Sequence, residues 1–312
     1  MKPFFCFVFA LVLMFSACTS MDETAPLPTE ESIEITLPVQ GNVADRDCKV
    51  FYGTDGGATY TGLTALPERE YAVADPQNTA GYSEEAVDHY YGTSENGEVH
   101  RYSREFQQRF DSEGLSAVVY DTRTDEKRIY LTFDCGYENG NTGLILDVLK
   151  EKQVPAAFFC TLYEVKTNPD LIARMVNEGH IVGNHSVTHA DFTTLTRTEM
   201  AEELMGFDNY MRENFGYSSL YFRFPEGRYN DNAIQLVQTL GFTSVFWSAA
   251  YNDWDTTKQK GADYALTQVT KQLHPGMILL LHSVSADNAA ALGSIIDTAR
   301  ANGYTFCALT QL

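Results

Sequence analysis

From residue 118 onward the sequence alternates between short apolar runs and longer stretches of helical periodicity, and this alternation restricts the possible folds more than any other feature. The apolar runs fall at 129–133, 154–160, 180–183, 219–224, 243–249, 277–282 and 304–309. Between them, 142–152 sets Leu144, Ile145, Val148 and Leu149 on one helical face, and 168–178 does the same with Leu171, Ile172, Met175 and Val176. The stretches 196–215, 231–240, 262–273 and 287–302 continue the series, and Gly179, Gly241 and Gly303 follow helices as stop signals. Strands separated by helices pair in parallel through crossover connections. Seven such units fit an α/β fold of the (β/α)-barrel kind, incomplete or distorted. Enzymes built this way keep their reactive groups at the C-terminal ends of the strands.

Polar residues with chemical potential sit at those ends. The run 129–133 alternates Ile129, Leu131 and Phe133 with Tyr130 and Thr132, then gives way to Asp134, Cys135 and Gly136. An aspartate at a strand end is as readily a turn or cap residue, so Asp134 alone decides little. His185 and His189 lie four apart, a spacing that can turn two imidazoles toward one metal ion, although two polar loop histidines would look the same. His282 closes the run 277–282, where a buried strand meets solvent and a histidine can exchange protons. Arg223 ends another strand and could hold a carboxylate charged. Pro225 and Gly227 would shape the following loop so that a backbone N–H, that of Glu226, points inward. Asp253 and Trp254 follow the run 243–249, and the indole offers a flat wall for a sugar ring. Together these groups suit metal-assisted hydrolysis of an amide. Asp134 would take a proton from water, His185 and His189 would hold the metal, and His282 would protonate the departing amine.

The segments TFDCG, HSVTH, RFPEG, DW and LLLHS occur in this order over about residues 120–312 and resemble the polysaccharide deacetylase family, the NodB-homology carbohydrate esterases. The resemblance implies a distorted (β/α) barrel that removes acetyl groups from cell-wall sugars with a divalent metal. It implies Asp134 as base, His185 and His189 as ligands, Arg223 as the group that positions the base and His282 as acid. GYENG, FWSAAYNDWD, KGADYA and HPGMILLLHSVSADNAAAL are similar to the muramic δ-lactam-type de-N-acetylases, which act on N-acetylmuramic acid. The family's first motif usually carries a second aspartate as metal ligand, and Cys135 stands in that place; the δ-lactam-type enzymes generally have asparagine there. Cys135 is either a thiolate ligand, which would favour zinc over cobalt or another divalent ion, or a small neutral neighbour of a site closed by histidines and solvent. Glu226 stands where many members have tyrosine or arginine.

The rest of the 312 residues reads as an export and tethering apparatus. Lys2, an apolar run from Phe4 to Phe15 and Ser16-Ala17-Cys18 resemble a lipoprotein-type signal over 1–18, which implies lipidation of Cys18 and anchoring to the outer face of the cell membrane; an ordinary signal peptide with an incidental cysteine is the alternative. Residues 19–40 read as an acidic flexible tether, and 41–117 as an irregular aromatic-rich region whose tyrosines pack against the deacetylase domain at 118–312, with stacking on sugar near its groove as the alternative. A net charge of −20 argues against nucleic acid. Cys160 and Cys307 read as small buried residues, and no CxxC occurs. The expected partner is cell-wall glycan, met by a monomer. Two alternatives share the same residues: a glycan-binding lipoprotein without activity, and an O-acetyl esterase.

Overall fold

A computed structural model describes residues 58–60, 64–94, 96–123 and 125–312. The signal at 1–18, the tether at 19–40 and the part of the aromatic-rich region up to residue 57 lie outside the described residues. The strands are β1 (Ala58–Tyr60), β2 (Val87–Asp88), β3 (Ala117–Val118), β4 (Arg128–Cys135), β5 (Ala156–Cys160) and β6 (Ile181–Asn184), followed by β7 (Tyr217–Ser219), β8 (Tyr221–Phe222), β9 (Arg228–Tyr229), β10 (Thr243–Val245), β11 (Met277–His282) and β12 (Thr305–Phe306). The helices are α1 (Arg101–Glu113), α2 (Thr142–Lys152), α3 (Leu162–Thr167), α4 (Pro169–Asn177), α5 (Arg197–Phe215), α6 (Asp231–Thr239), α7 (Ala262–Thr270) and α8 (Ala286–Ala301).

The main sheet runs β11-β4-β5-β6-β8-β10-β3, with β12 also paired to β4. Its pairings are parallel. Just past β10 the chain reaches β11 through an Ala249↔Leu279 bridge and the bond from Leu280 N to Ala249 O at 2.9 Å. The sheet thereby curls into a distorted barrel. Between β6 and β8 the only register pair is Asn184↔Phe222, which is where the curl is least regular.

Side-chain parity along β4 and β11 sorts the core. Ile129, Leu131, Phe133 and Cys135, with Met277, Leu279 and Leu281, pack outward against Ile145 and Leu149 of α2 and Leu292 and Ile295 of α8. Tyr130, Ile278 and Leu280 point the other way and join Phe159, Val245 and Trp247 inside the curl. Each large aliphatic side chain buried in this way contributes roughly 1.5–3 kcal/mol. Continuing the alternation places Asp134 and His282 on the inner face, side by side in register at the strand ends.

Several elements depart from the sequence reading. The 13-residue α1 lies inside the region read as irregular; it buries only Ser103, Phe106, Gln107 and Phe110, too thin an apolar stripe to stand out. The six-residue α3, capped by Thr161 accepting from Glu164 N, is too short to show a period. The run 219–224 is divided between β7 and β8, and only the first three residues of 243–249 are strand. Tyr71, Tyr82 and Tyr90 are exposed, although Tyr90 meets the rings of Tyr102 and Phe106 edge-on. Cys307 is buried as expected but is disulfide-bonded.

Candidate active site

Asp134 leaves β4 into the barrel mouth with little of its surface exposed. There it meets Arg223, which is fully buried and donates from Nη1 to Asp134 Oδ1 at 2.8 Å. The other two nitrogens of Arg223 are fixed by Val245 O at 2.8 Å, Thr132 Oγ1 at 3.0 Å and Phe246 O at 3.2 Å. Its guanidinium carbon lies 4.2 Å from the centre of the Phe159 ring. Such a fork is locked before any substrate arrives. Burial alone would raise the Asp134 pKa, but the charge of Arg223, helped by His185 and His282, overrides it and holds the carboxyl below its usual value. The group is an anion at neutral pH and can accept a proton.

The two histidines of GNHSVTH occupy a turn rather than a helix. Ser186 and His189 both take left-handed backbone conformations, at φ 73° and 59°. The turn is held by Ser186 Oγ accepting from His189 N at 2.8 Å, and by Glu203, whose Oε2 accepts from Val187 N and Thr188 N. The rings stand 4.9 Å apart at 78°. His185 Nδ1 bonds the Arg223 carbonyl at 2.9 Å, which leaves Nε2 facing Asp134 Oδ2 at 3.6 Å. Burial, outweighing the pull of Asp134, drops the His185 pKa to about 4, so the ring is neutral at pH 7. Two imidazoles four apart, beside a carboxylate and open to a pocket, fit a divalent cation with free coordination positions. Among the described residues no third His, Cys, Asp or Glu completes a compact cluster.

His282 ends β11 opposite this pair. Its Nδ1 bonds Asp253 Oδ1 at 2.7 Å, and its backbone N donates to Asp253 Oδ2 at 2.7 Å. Asp253 is buried and also accepts from Asn288 Nδ2. Burial opposes protonation of His282, but the Asp253 charge and hydrogen bond, with Asp134 beyond, raise its pKa overall. A proton on Nδ1, directed at Asp253, leaves Nε2 for the pocket.

These groups line one cavity of about 690 Å³. Asp134, His185, His189, Glu226, Trp254 and His282 all border it. Glu226 sits in a left-handed turn, φ 58°, between Pro225 and Gly227. A Cβ on Gly227 would lie 2.6 Å from the Trp247 ring, so only glycine permits this packing. Asp253 touches the site through His282, and Trp254 is exposed at the rim.

Cys135 is not brought to the site. It follows Asp134 by one residue, and the pleat turns it outward into the apolar cluster, fully buried and in register with Cys160. The reading of Cys135 as a thiolate ligand is therefore corrected: strand parity separates it from the histidines. Tyr91 of the aromatic-rich region does reach the cavity wall, while sequence reasoning missed Tyr137, Trp247 and Tyr251 on the same walls and Glu203 under the histidine turn. The aromatic residues carry no pattern distinguishing a wall from a core, and Glu203 looks like an ordinary residue of an amphipathic helix.

A curled parallel barrel whose strand ends oppose an arginine-held carboxylate to an aspartate-held histidine belongs to the hydrolases. Comparison with known proteins narrows this. Residues 121–245 match the polysaccharide deacetylase family. The peptidoglycan-N-acetylmuramic acid deacetylase PdaA of Bacillus subtilis strain 168 is 46% identical over 196 residues, 62% of this chain and 74% of that protein. Its solved structure, a family 4 carbohydrate esterase, superposes with a TM-score of 0.70 at 39% identity, covering 74% of this chain and 97% of that one. A peptidoglycan-N-acetylglucosamine deacetylase of Bacillus cereus is 28% identical over 209 residues, 65% of this chain and 96% of its own. A family 4 pseudoenzyme of Bacillus anthracis, BA3943, superposes with a TM-score of 0.59 at 26% identity, covering 63% of this chain and 68% of that one. The chain belongs to the polysaccharide deacetylase family.

Proposed function

We propose that the protein is a metal-dependent N-deacetylase of peptidoglycan, acting on the acetamido group of N-acetylmuramic acid. The observation that carries the reading is Asp134, bonded to Arg223 at 2.8 Å, facing His185 and His282 across one pocket. Similarity to the muramic acid deacetylase PdaA supports the sugar. His185 and His189 would hold the cation, zinc or cobalt, which when bound polarises the acetyl carbonyl and lowers the pKa of water. Asp134 accepts the proton of the attacking water as its oxygen adds to the carbonyl carbon. The N–H of Glu226, presented by the left-handed turn, donates to the developing oxyanion. His282 then gives its Nε2 proton to the sugar nitrogen as the carbon–nitrogen bond breaks, leaving acetate and a free amine. The aromatic rings of Trp247, Tyr251 and Trp254 suit the apolar faces of a pyranose. A lipoprotein-type leader, as read from the sequence, would put this activity at the outer face of the membrane, next to the wall.

The test is acetate release by the soluble chain from Thr19 onward, on peptidoglycan strands freed of stem peptides, with Zn²⁺ or Co²⁺ and a chelator control. Metal-dependent release of acetate is the expected result. Glycan binding without release from muramic acid or N-acetylglucosamine substrates would overturn it in favour of the binding protein. Release only from O-acetylated glycan would make the protein an esterase.

A further inference from the structure

The segment just before α1 lies outside the stretch that matches the family, yet it reaches the pocket. β2 pairs antiparallel with β9, Val87 against Tyr229 and Asp88 against Arg228. Arg228 reinforces the pairing by donating to Asp88 Oδ1 at 2.9 Å. His89 N then donates to Gly227 O at 3.0 Å, so the pairing ends on the turn that carries Glu226. The His89 side chain is buried beneath that turn. Its Nε2 bonds Trp247 O at 2.7 Å, and its ring meets those of Trp247, Phe246 and Phe106 at 4.9–5.0 Å. His89 Cβ would lie 3.2 Å from a Cβ on Gly227. The left-handed turn is thus held between Trp247 and His89. Two residues on, Tyr91 packs on the inner core and lines the cavity with Asp134, Glu226, Trp247 and His282. A turn in a sparsely populated backbone region needs such surroundings to persist.

We infer that Val87–Tyr91 is a working strap of the active site: Tyr91 contacts the bound sugar, and His89 is the positioning residue for the turn that carries the Glu226 N–H. The inference rests on the deacetylase reading and extends it to a segment with no recognisable motif. A phenol on the wall can hydrogen-bond a sugar hydroxyl and cover a ring face. Loss of that contact weakens substrate binding without touching the groups that move protons. Loss of His89 lets the turn relax and weakens the transition state.

The experiment uses the full soluble chain, metal-loaded, with acetate release from stem-peptide-free peptidoglycan strands. Tyr91→Phe should raise KM about fivefold, and Tyr91→Ala about tenfold or more, with kcat within about twofold of the parent. His89→Ala should lower kcat about tenfold with KM little changed, and His89→Gln, which can still donate to the Trp247 carbonyl, should recover most of it. Thermal melts run alongside. A working parent with Tyr91 variants at parental KM overturns the sugar contact. His89→Gln no better than His89→Ala overturns the positioning role and leaves His89 as scaffold. No acetate release by the parent from any acetylated glycan overturns the deacetylase reading itself, and the strap falls with it.

Discussion

Asp253→Asn separates the charge on the His282 partner from its shape. In the parent, Asp253 is buried, bonds His282 Nδ1 at 2.7 Å and accepts from His282 N at 2.7 Å. His282 is pulled down by burial and up by this carboxylate, and the carboxylate wins. Removing the charge leaves burial in command, so the histidine should titrate below its ordinary value. A close buried charge pair shifts a pKa by about 1–3 units, and a unit corresponds to about 1.36 kcal/mol. The alkaline limb of the kcat/KM profile should therefore move acidward by about 1–2 units, with activity at pH 7.5 falling about 10- to 100-fold. The assay is the pH–rate profile, with histidine NMR titration of the chelated protein alongside. Stability supplies a signed check. A histidine whose folded pKa is raised contributes stability that is fully present below about 6.5, its unfolded value, and lost as pH rises through the folded value. Asp253→Asn should thus cost more in urea unfolding at pH 5.5 than at pH 8.5. A uniform fall in rate with the alkaline limb unmoved would refute the argument and leave Asp253 as an orienting group only.

Four further substitutions test the same geometry. Asp134→Asn should abolish acetate release and, by leaving the buried Arg223 charge uncompensated, destabilise the fold by about 3–5 kcal/mol, read by urea unfolding. Cys135→Ala should leave kcat within about threefold at a cost of about 1–2 kcal/mol, because the thiol packs outward. Cys135→Asp should bury an unpartnered carboxylate and lower Tm sharply; tighter metal binding by that variant in calorimetry would show that the side chain reaches the histidines after all. Among the described residues no lysine or arginine lines the cavity, and Glu226 is exposed within it. Glu226→Arg should therefore lower KM severalfold for strands bearing free lactyl carboxylates and should do little for neutral N-acetylglucosamine oligomers; equal effects on both would sink the electrostatic account.

What could be read from the chain was what repeats or what reacts. The barrel was legible because β5 and β11 are near-continuous apolar runs, because β4 alternates Ile129, Leu131 and Phe133 with more polar residues, and because helices such as Pro169–Asn177 keep the buried stripe their period implies; in Thr142–Lys152 the stripe is shifted, with Leu146 buried and Leu144 exposed. The structure gathers Asp134, His185, His189, Arg223 and His282 at one mouth because each stands at a strand end or just beyond it. Cys135 was misplaced by reasoning from motif position, when the pleat requires neighbours to face opposite ways. The β2 strap was illegible for another reason: Val87–Tyr91 is two residues of strand followed by loop, and its partners lie about 140 to 160 residues away. No local periodicity encodes such a contact.

On the proposed reading, the pocket also sorts which group would give and which would take a proton, and it does so through ionic partners rather than exposure. Asp134 and His282 stand opposite each other on neighbouring parallel strands, in register, at equal depth. Burial acts against the charged form of both. Left to burial, the carboxyl would hold its proton and the imidazole would lose it, and neither could begin a hydrolysis at neutral pH. Arg223 reverses the first effect and Asp253 the second, each through a side chain that is itself buried and fully engaged. Two ionic pairs of opposite sense therefore drive the two pKa values apart, which is what an acid and a base working on one bond require. For His185 the pull of Asp134, 3.6 Å from Nε2, is too weak to reverse burial, and the ring stays neutral. The same low-polarity mouth thus yields a base, an acid and a metal-ready imidazole, and the difference among them lies in the partner each side chain was given.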